Sequence, residues 1–211
     1  MIFYPLFPYL YIELNQYNHR MRSSKITRKT KETDIEVRIS LDGTGNTDIN
    51  TGIPFFDHML NSFAKHGLFD LSVKTVGDLA VDDHHTIEDV GITLGSAIAK
   101  ALGEKKGIQR FADVSVPMDE SLASVAIDIS GRSYLVFNAS FAPLTVGTFN
   151  PQNTKHFFES LVNNARINMH MSVTGENDHH KIEALFKAFG ITLKRAVRIS
   201  GSEVPSTKGV L

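Results

Sequence analysis

An octapeptide near the middle of the chain returns near its end, and this repeat limits the folds open to the sequence. Asp82-Asp-His84-His85-Thr-Ile-Glu88-Asp89 is echoed by Asn177-Asp-His179-His180-Lys-Ile-Glu183-Ala184, with both histidines, the isoleucine and the glutamate displaced by the same 95 residues. An Asp or Asn stands just ahead of an apolar-periodic run in each copy, which is the pattern of a helix N-terminus. At ~100° per residue the first His and the Glu four places on share one face, while the second His points away from it. One ion does not easily take both neighbouring rings, so each pair predicts two ions, or one ion shared with another segment. Imidazole with carboxylate suits Mn, Zn, Fe, Co or Ni. Polar helix starts would explain one copy; two copies with Glu at the same spacing favour metal ligation.

The segments ahead of the two motifs match as well. Thr33–Leu41 alternates, with Ile35, Val37, Ile39 and Leu41 on one face, and predicts a half-buried strand. Asp42-Gly43 reads as a turn, and a strand over Thr47–Asn50 would close a hairpin. Phe55–Lys65 has a helical apolar stripe with His58 off it, and Leu68–Val76 reads as a strand before the first motif. The basic, polar stretch Ser23–Glu32 gives no element. The second half offers strands at Leu122–Ile129, Tyr134–Phe141 and Ile167–Val173, and a helix over Asn153–Asn164 in which His156 takes the place of His58. Gly-Ile-Thr-Leu also occurs twice, from Gly91 and Gly190, but its offset of 99 fits no common register.

The fold expected is therefore α+β, a duplicated strand-strand-helix-strand-helix unit with halves over 21–110 and 111–200 related by a pseudo-two-fold, followed by a tail over 201–211. Eight candidate ligands follow: His58, His84, His85, Glu88, His156, His179, His180 and Glu183. They suit two metals with four protein ligands each, and duplication allows sites between subunits.

The remaining sequence excludes more than it assigns. There is no Cys, so thiolate ligands and disulfides are ruled out. A net charge of −1 without a basic stripe argues against nucleic acid. Residues 1–20 are aromatic and apolar, broken by Pro5 and Pro8, too short for a membrane span and without the basic start of a secretory signal. They read as an extension outside the fold of a cytoplasmic protein. Arg110 follows Gly107 by three residues and Arg132 stands directly after Gly131, and Ser206-Thr207-Lys208 lies in a Gly/Pro loop, groups that suit a phosphate. Asp119-Glu120 precedes a strand, where capping is the plain explanation. His170 reads as a core position or one supporting a ligand.

These segments together resemble a known family. Asn50-Thr-Gly-Ile-Pro-Phe-Phe-Asp-His58, the two His-His-x-x-Glu motifs, Pro117-Met-Asp119-Glu-Ser, Asp128-Ile-Ser-Gly-Arg132 and Pro205-Ser-Thr-Lys-Gly209 are similar, in order, to imidazoleglycerol-phosphate dehydratase of histidine biosynthesis. The likeness covers about residues 25–211. It implies the ribosomal protein S5 domain 2-like fold, trimers assembling to a 24-mer, and two Mn(II) per active site held by the eight ligands. In some relatives Glu replaces His156, and Thr207 here replaces a common Ser. The likeness also implies that Arg110, Arg132, Ser206 and Lys208 hold the substrate phosphate, that Glu32 lies near the glycerol hydroxyls, and that Asp119 belongs to an acidic segment of the site. The reaction implied is loss of water from imidazole-glycerol phosphate through an imidazolate and a diazafulvene, with Glu183, Glu88 or a metal-bound water as base. A dinuclear phosphate-ester hydrolase and a metal-stapled assembly module are the alternatives from other classes.

Overall fold

The computed structural model describes residues 21–211; the extension over 1–20 lies outside them. The first half runs β1 (Ser23–Lys29), β2 (Thr33–Ser40), β3 (Thr47–Asn50), α1 (Pro54–Gly67), β4 (Asp70–Gly77) and α2 (His84–Leu102). The second repeats that order as β5 (Phe111–Met118), β6 (Ser121–Asp128), β7 (Tyr134–Asn138), α3 (Asn153–Ala165), β8 (Asn168–Thr174) and α4 (Asp178–Ala196). The duplicated α+β architecture is as expected, with one more strand opening each half. β1 escapes the alternation rule because two of its three inward positions are polar, with only Ile26 between them apolar: Ser24 donates to the carbonyl of Ala97 and Arg28 to Asp89. β5 carries Pro117, which edge strands tolerate.

The two sheets have the orders β1-β2-β4-β3 and β5-β6-β8-β7. β2 and β3 therefore form no hairpin. The chain passes over β4, and β3 pairs with its far edge in parallel, as β7 does with β8. His170 pairs with Ala126 and Val136 and faces outward, exposed, so it belongs neither to the core nor to a ligand's support.

The helices lie between the sheets, and they pack across the halves. α1 lies against α4 and α2 against α3, while α2 covers β1 and β2 and α4 covers β5 and β6. One apolar core runs through all of them, with Phe63 stacked on Phe189 at 4.8 Å and Phe56 edge-on to Phe157 at 5.3 Å. Glycines set the crossings. A methyl group on Gly95 would collide with the carbonyl of Leu161, and one on Gly190 with the carbonyl of Phe63. Gly95 and Gly190 share the 95-residue offset of the motifs, and Phe63 and Leu161 share the 98-residue offset of His58 and His156. The Gly-Ile-Thr-Leu repeat thus starts one turn out of step in α2, at Gly91, which itself approaches Phe157.

A buried carboxylate ties α2 to the sheet. Asp89 accepts from Arg28 Nε at 2.9 Å and from Thr33 Oγ1 at 2.6 Å. Its counterpart, Ala184, forms no such tie. Asp89→Ala leaves a guanidinium and a buried hydroxyl without their acceptor. The expected loss is about 1–3 kcal/mol, read from urea unfolding; an unchanged midpoint would show the tie to be worth nothing.

Candidate active site

The N-terminal ends of the helices carry the motifs. Asn177 caps α4, accepting from the backbone N–H of His179 at 2.9 Å and of His180 at 3.4 Å. Asp83 does not cap α2; Asp82 accepts from His84 N–H instead, and Asp83 turns toward the second half. No helix among the described residues is long and apolar enough to cross a membrane.

Because α1 packs on α4 and α2 on α3, the first histidine of each motif meets the helix histidine of the opposite half. His58 Nε2 lies 3.2 Å and His179 Nε2 3.1 Å from Glu183 Oε2, and donor atoms of the three residues all fall within 4.8 Å of one another. The matching cluster is looser. The rings of His84 and His156 are 4.8 Å apart, and His84 Nε2 stands 3.7 Å from Glu88 Oε2. The clusters also differ in charge. Lys187 donates to Glu183 Oε1 at 2.8 Å, whereas its counterpart in α2 is Ile92. Burial by itself would raise the Glu183 carboxyl, but the Lys187 hydrogen bond and the His58 charge outweigh it and hold the group below the usual carboxylate range.

The second histidines join neither cluster. The His84 and His85 rings are 6.0 Å apart and nearly perpendicular, as are those of His179 and His180. Each second ring faces a carboxylate of its own half. His85 Nδ1 lies 3.0 Å from Asp78, and His180 Nδ1 lies 2.8 Å from Glu120. The Asp78 hydrogen bond raises His85 above its ordinary value, and the His180 contact pushes Glu120 down to about 2. With Nδ1 donating to a carboxylate, Nε2 is left as the lone-pair nitrogen, an arrangement general to metal-bound histidine. Glu32 and Asp119 occupy the corresponding β1–β2 and β5–β6 turns. Glu32 comes within 3.9 Å of His85 Nδ1 and Asp119 within 3.6 Å of His180 Nε2. Asp78 and Glu120 were the partners that sequence reasoning missed, since an acid beside a turn looks like a cap.

The donor set fits a hard or borderline divalent ion such as Mn(II): imidazole nitrogens, ionised carboxylates and no sulfur. The four clustered histidines and two glutamates would supply the ligands within one chain. His85 and His180 point away from both clusters, toward Asp78 and Glu120 of their own halves.

The phosphate candidates gather elsewhere. Arg110 is bidentate to Asp128, at 2.7 and 3.2 Å, and its Nη1 donates to the carbonyl of Pro205 at 2.8 Å. Arg132 is exposed on the turn at Gly131, against which the chain end at Leu211 packs, and Ser206 and Lys208 lie in the same tail. Arg110 N–H bonds to the carbonyl of Ala196, so this basic end sits at the C-terminus of α4. His179 is at its N-terminus, roughly 25 Å away at 1.5 Å per residue. Grooves do not single out the site: one of about 720 Å³ flanks β1, β2 and Lys100, far from the motifs, while one of about 420 Å³ adjoins His156 beside Phe137, Phe141 and Lys155.

Known proteins are similar to this chain in sequence and in fold. Residues 51–193 match the family model described as imidazoleglycerol-phosphate dehydratase. The Methanosarcina mazei and Methanococcoides burtonii proteins of that name are 62% and 60% identical over 191 residues, which is 90% of this chain and all of theirs. The crystal structure of the Staphylococcus aureus dehydratase aligns with a TM-score of 0.77 at 39% identity, covering 84% of this chain and 99% of its own. The Pyrococcus furiosus structure aligns equally well at 36% identity, covering 88% and 100%. The chain belongs to the imidazoleglycerol-phosphate dehydratase family, hydro-lyases of histidine biosynthesis.

Proposed function

We propose that this protein dehydrates imidazole-glycerol phosphate to imidazole-acetol phosphate at a site holding two Mn(II) ions and built between subunits. The observation that carries the reading is the convergence of His58 and His179, from opposite halves, on the ionised carboxylate of Glu183. The ~25 Å between His179 and the basic end far exceeds the length of the substrate. A ring held at His179 and a phosphate held at the basic end would then come from different copies of the chain, which supports a homo-oligomer such as the 24-mer of trimers.

The reaction is hard because the C2 proton has no carbonyl beside it and the C3 hydroxyl is a poor leaving group. Bound Mn(II) supplies positive charge that favours the deprotonated form of the substrate's imidazole ring. The chain supplies the rest. Arg132, Ser206 and Lys208, with Arg110 bracing the tail through Pro205, hold the phosphate. Glu32 and Asp119 reach the glycerol hydroxyls from the two β-turns. The ring's electron pair expels the C3 hydroxyl, which leaves as water with the proton the ring gave up; Glu183 Oε2 accepts the C2 proton and returns it at C3, and the enol hydroxyl proton passes back to the ring, which gives the ketone. Glu88 occupies the equivalent place in the other cluster and is the alternative base.

Chelated protein is expected to lose turnover of imidazole-glycerol phosphate and to recover it on addition of Mn(II), with ketone as product. Release of inorganic phosphate in place of ketone would establish a phosphate-ester hydrolase. Full activity without metal would remove the dinuclear site.

A further inference from the structure

His84 and His156 come from different halves, and no hydrogen bond within their own cluster joins them. The carboxylates nearest them are Glu88, at 3.7 Å from His84 Nε2, and Glu159, at 3.8 Å from His156 Nδ1 on the same helix. In the opposite cluster Glu183 Oε2 bridges both rings directly. The looser pair is braced from behind. One residue before His84, Asp83 Oδ1 accepts from Asn153 Nδ2 at 2.8 Å, and its Oδ2 accepts from the backbone N–H of Asn150 at 2.8 Å. Asn153 is the first residue of α3, three before His156, and is only 4% exposed. The brace has no equivalent in the other cluster. There the counterpart of Asn153 is Phe55, and the counterpart of Asp83 is Asp178, which accepts from Ala142 N–H and pairs with Lys181 inside its own half.

We propose that Asp83 and Asn153 are positioning residues that set the separation of His84 and His156, so that the affinity of this one metal cluster depends on a hydrogen bond to which neither ligand contributes. The inference rests on the metal-binding reading above. A hydrogen bond to an ionised acceptor is about twice as strong as a neutral one and fixes direction. Metal sites need their ligands placed within about 0.5 Å. The bond joins the starts of two helices whose other close approaches lie further along, where Gly91 and Gly95 of α2 meet α3. Losing it releases His84 relative to His156 and leaves His58, His179 and Glu183 as they are.

The test is Mn(II) binding to the metal-free full-length protein, followed by titration calorimetry alongside its melting temperature. Wild type is expected to bind two ions per chain. Asn153→Asp keeps a favourable residue at the start of α3 but sets two carboxylates face to face. It is expected to weaken one ion about 10–100-fold and leave the other unchanged. The exchanged pair Asp83→Asn with Asn153→Asp restores a donor and an acceptor and is expected to recover wild-type binding. Asn153→Ala repeats the loss without added charge, and stands in if the aspartate variant does not fold. Wild-type binding in both single variants, equal weakening of both ions, or no recovery in the exchanged pair overturns the proposal. A wild-type protein that binds no ion overturns the reading beneath it.

Discussion

Glu183→Gln is expected to lower kcat by about 10²–10⁴-fold, the range associated with losing a positioned general base. The amide keeps the shape of the side chain and can still accept from Lys187 at one position. At the other, an NH₂ replaces the oxygen that meets His58 and His179 at 3.2 and 3.1 Å. The variant therefore loses both the proton acceptor and a negative charge in a pocket where Glu183 is 7% exposed. Measuring Mn(II) content on the same sample separates these roles. Low kcat with metal retained assigns the proton transfer to Glu183, and low kcat with metal lost makes it chiefly a ligand. Near-normal kcat would transfer the base to Glu88 or to solvent.

The second large effect is on stability. Gly190→Val is expected to cost about 3 kcal/mol, the upper part of the overpacking range. The melting temperature should fall by roughly 6–12 °C for a chain of this size. The Cβ would meet the carbonyl oxygen of Phe63 and the backbone nitrogen of Gly67, so neither side can yield by turning a side chain. α1 and α4 must separate instead. Both carry ligands of the Glu183 cluster about two turns away, so Mn(II) affinity should weaken together with stability. A variant that melts and binds metal like wild type would show that the two helices are not in backbone contact.

The α+β duplication was legible because it rests on local periodicity and on a motif repeated at one offset, and Leu94, Ile98, Phe186 and Phe189 are buried where a 3.6-residue period places them. β1, whose inward residues are mostly polar, gave no such signal: Arg28 and Ser24 find partners on α2, which no local window contains. The β3–β4 and β7–β8 pairings were equally hidden, because a glycine turn, at Asp42-Gly43 or at Gly131-Arg132, looks the same whether the next strand folds back or crosses to the far edge. The candidate ligands were named from spacing, but their grouping was not readable. A common offset is equally consistent with His58 meeting His84 and with His58 meeting His179. Helix packing decides between them, through Gly95 and Gly190, whose backbone contacts lie more than 60 residues away in the chain.

The exchange of helices between halves has a historical consequence. A half-length chain carrying one helix histidine and one His-His-x-x-Glu motif could complete neither cluster alone. Two copies of it, paired about a true two-fold axis, would complete both, and the two would be identical. Joining such copies end to end removes that constraint, because each cluster then draws on its own codons. Lys187 opposite Ile92, and Asp83 with Asn153 opposite Asp178 with Phe55, are differences that only a joined chain can carry.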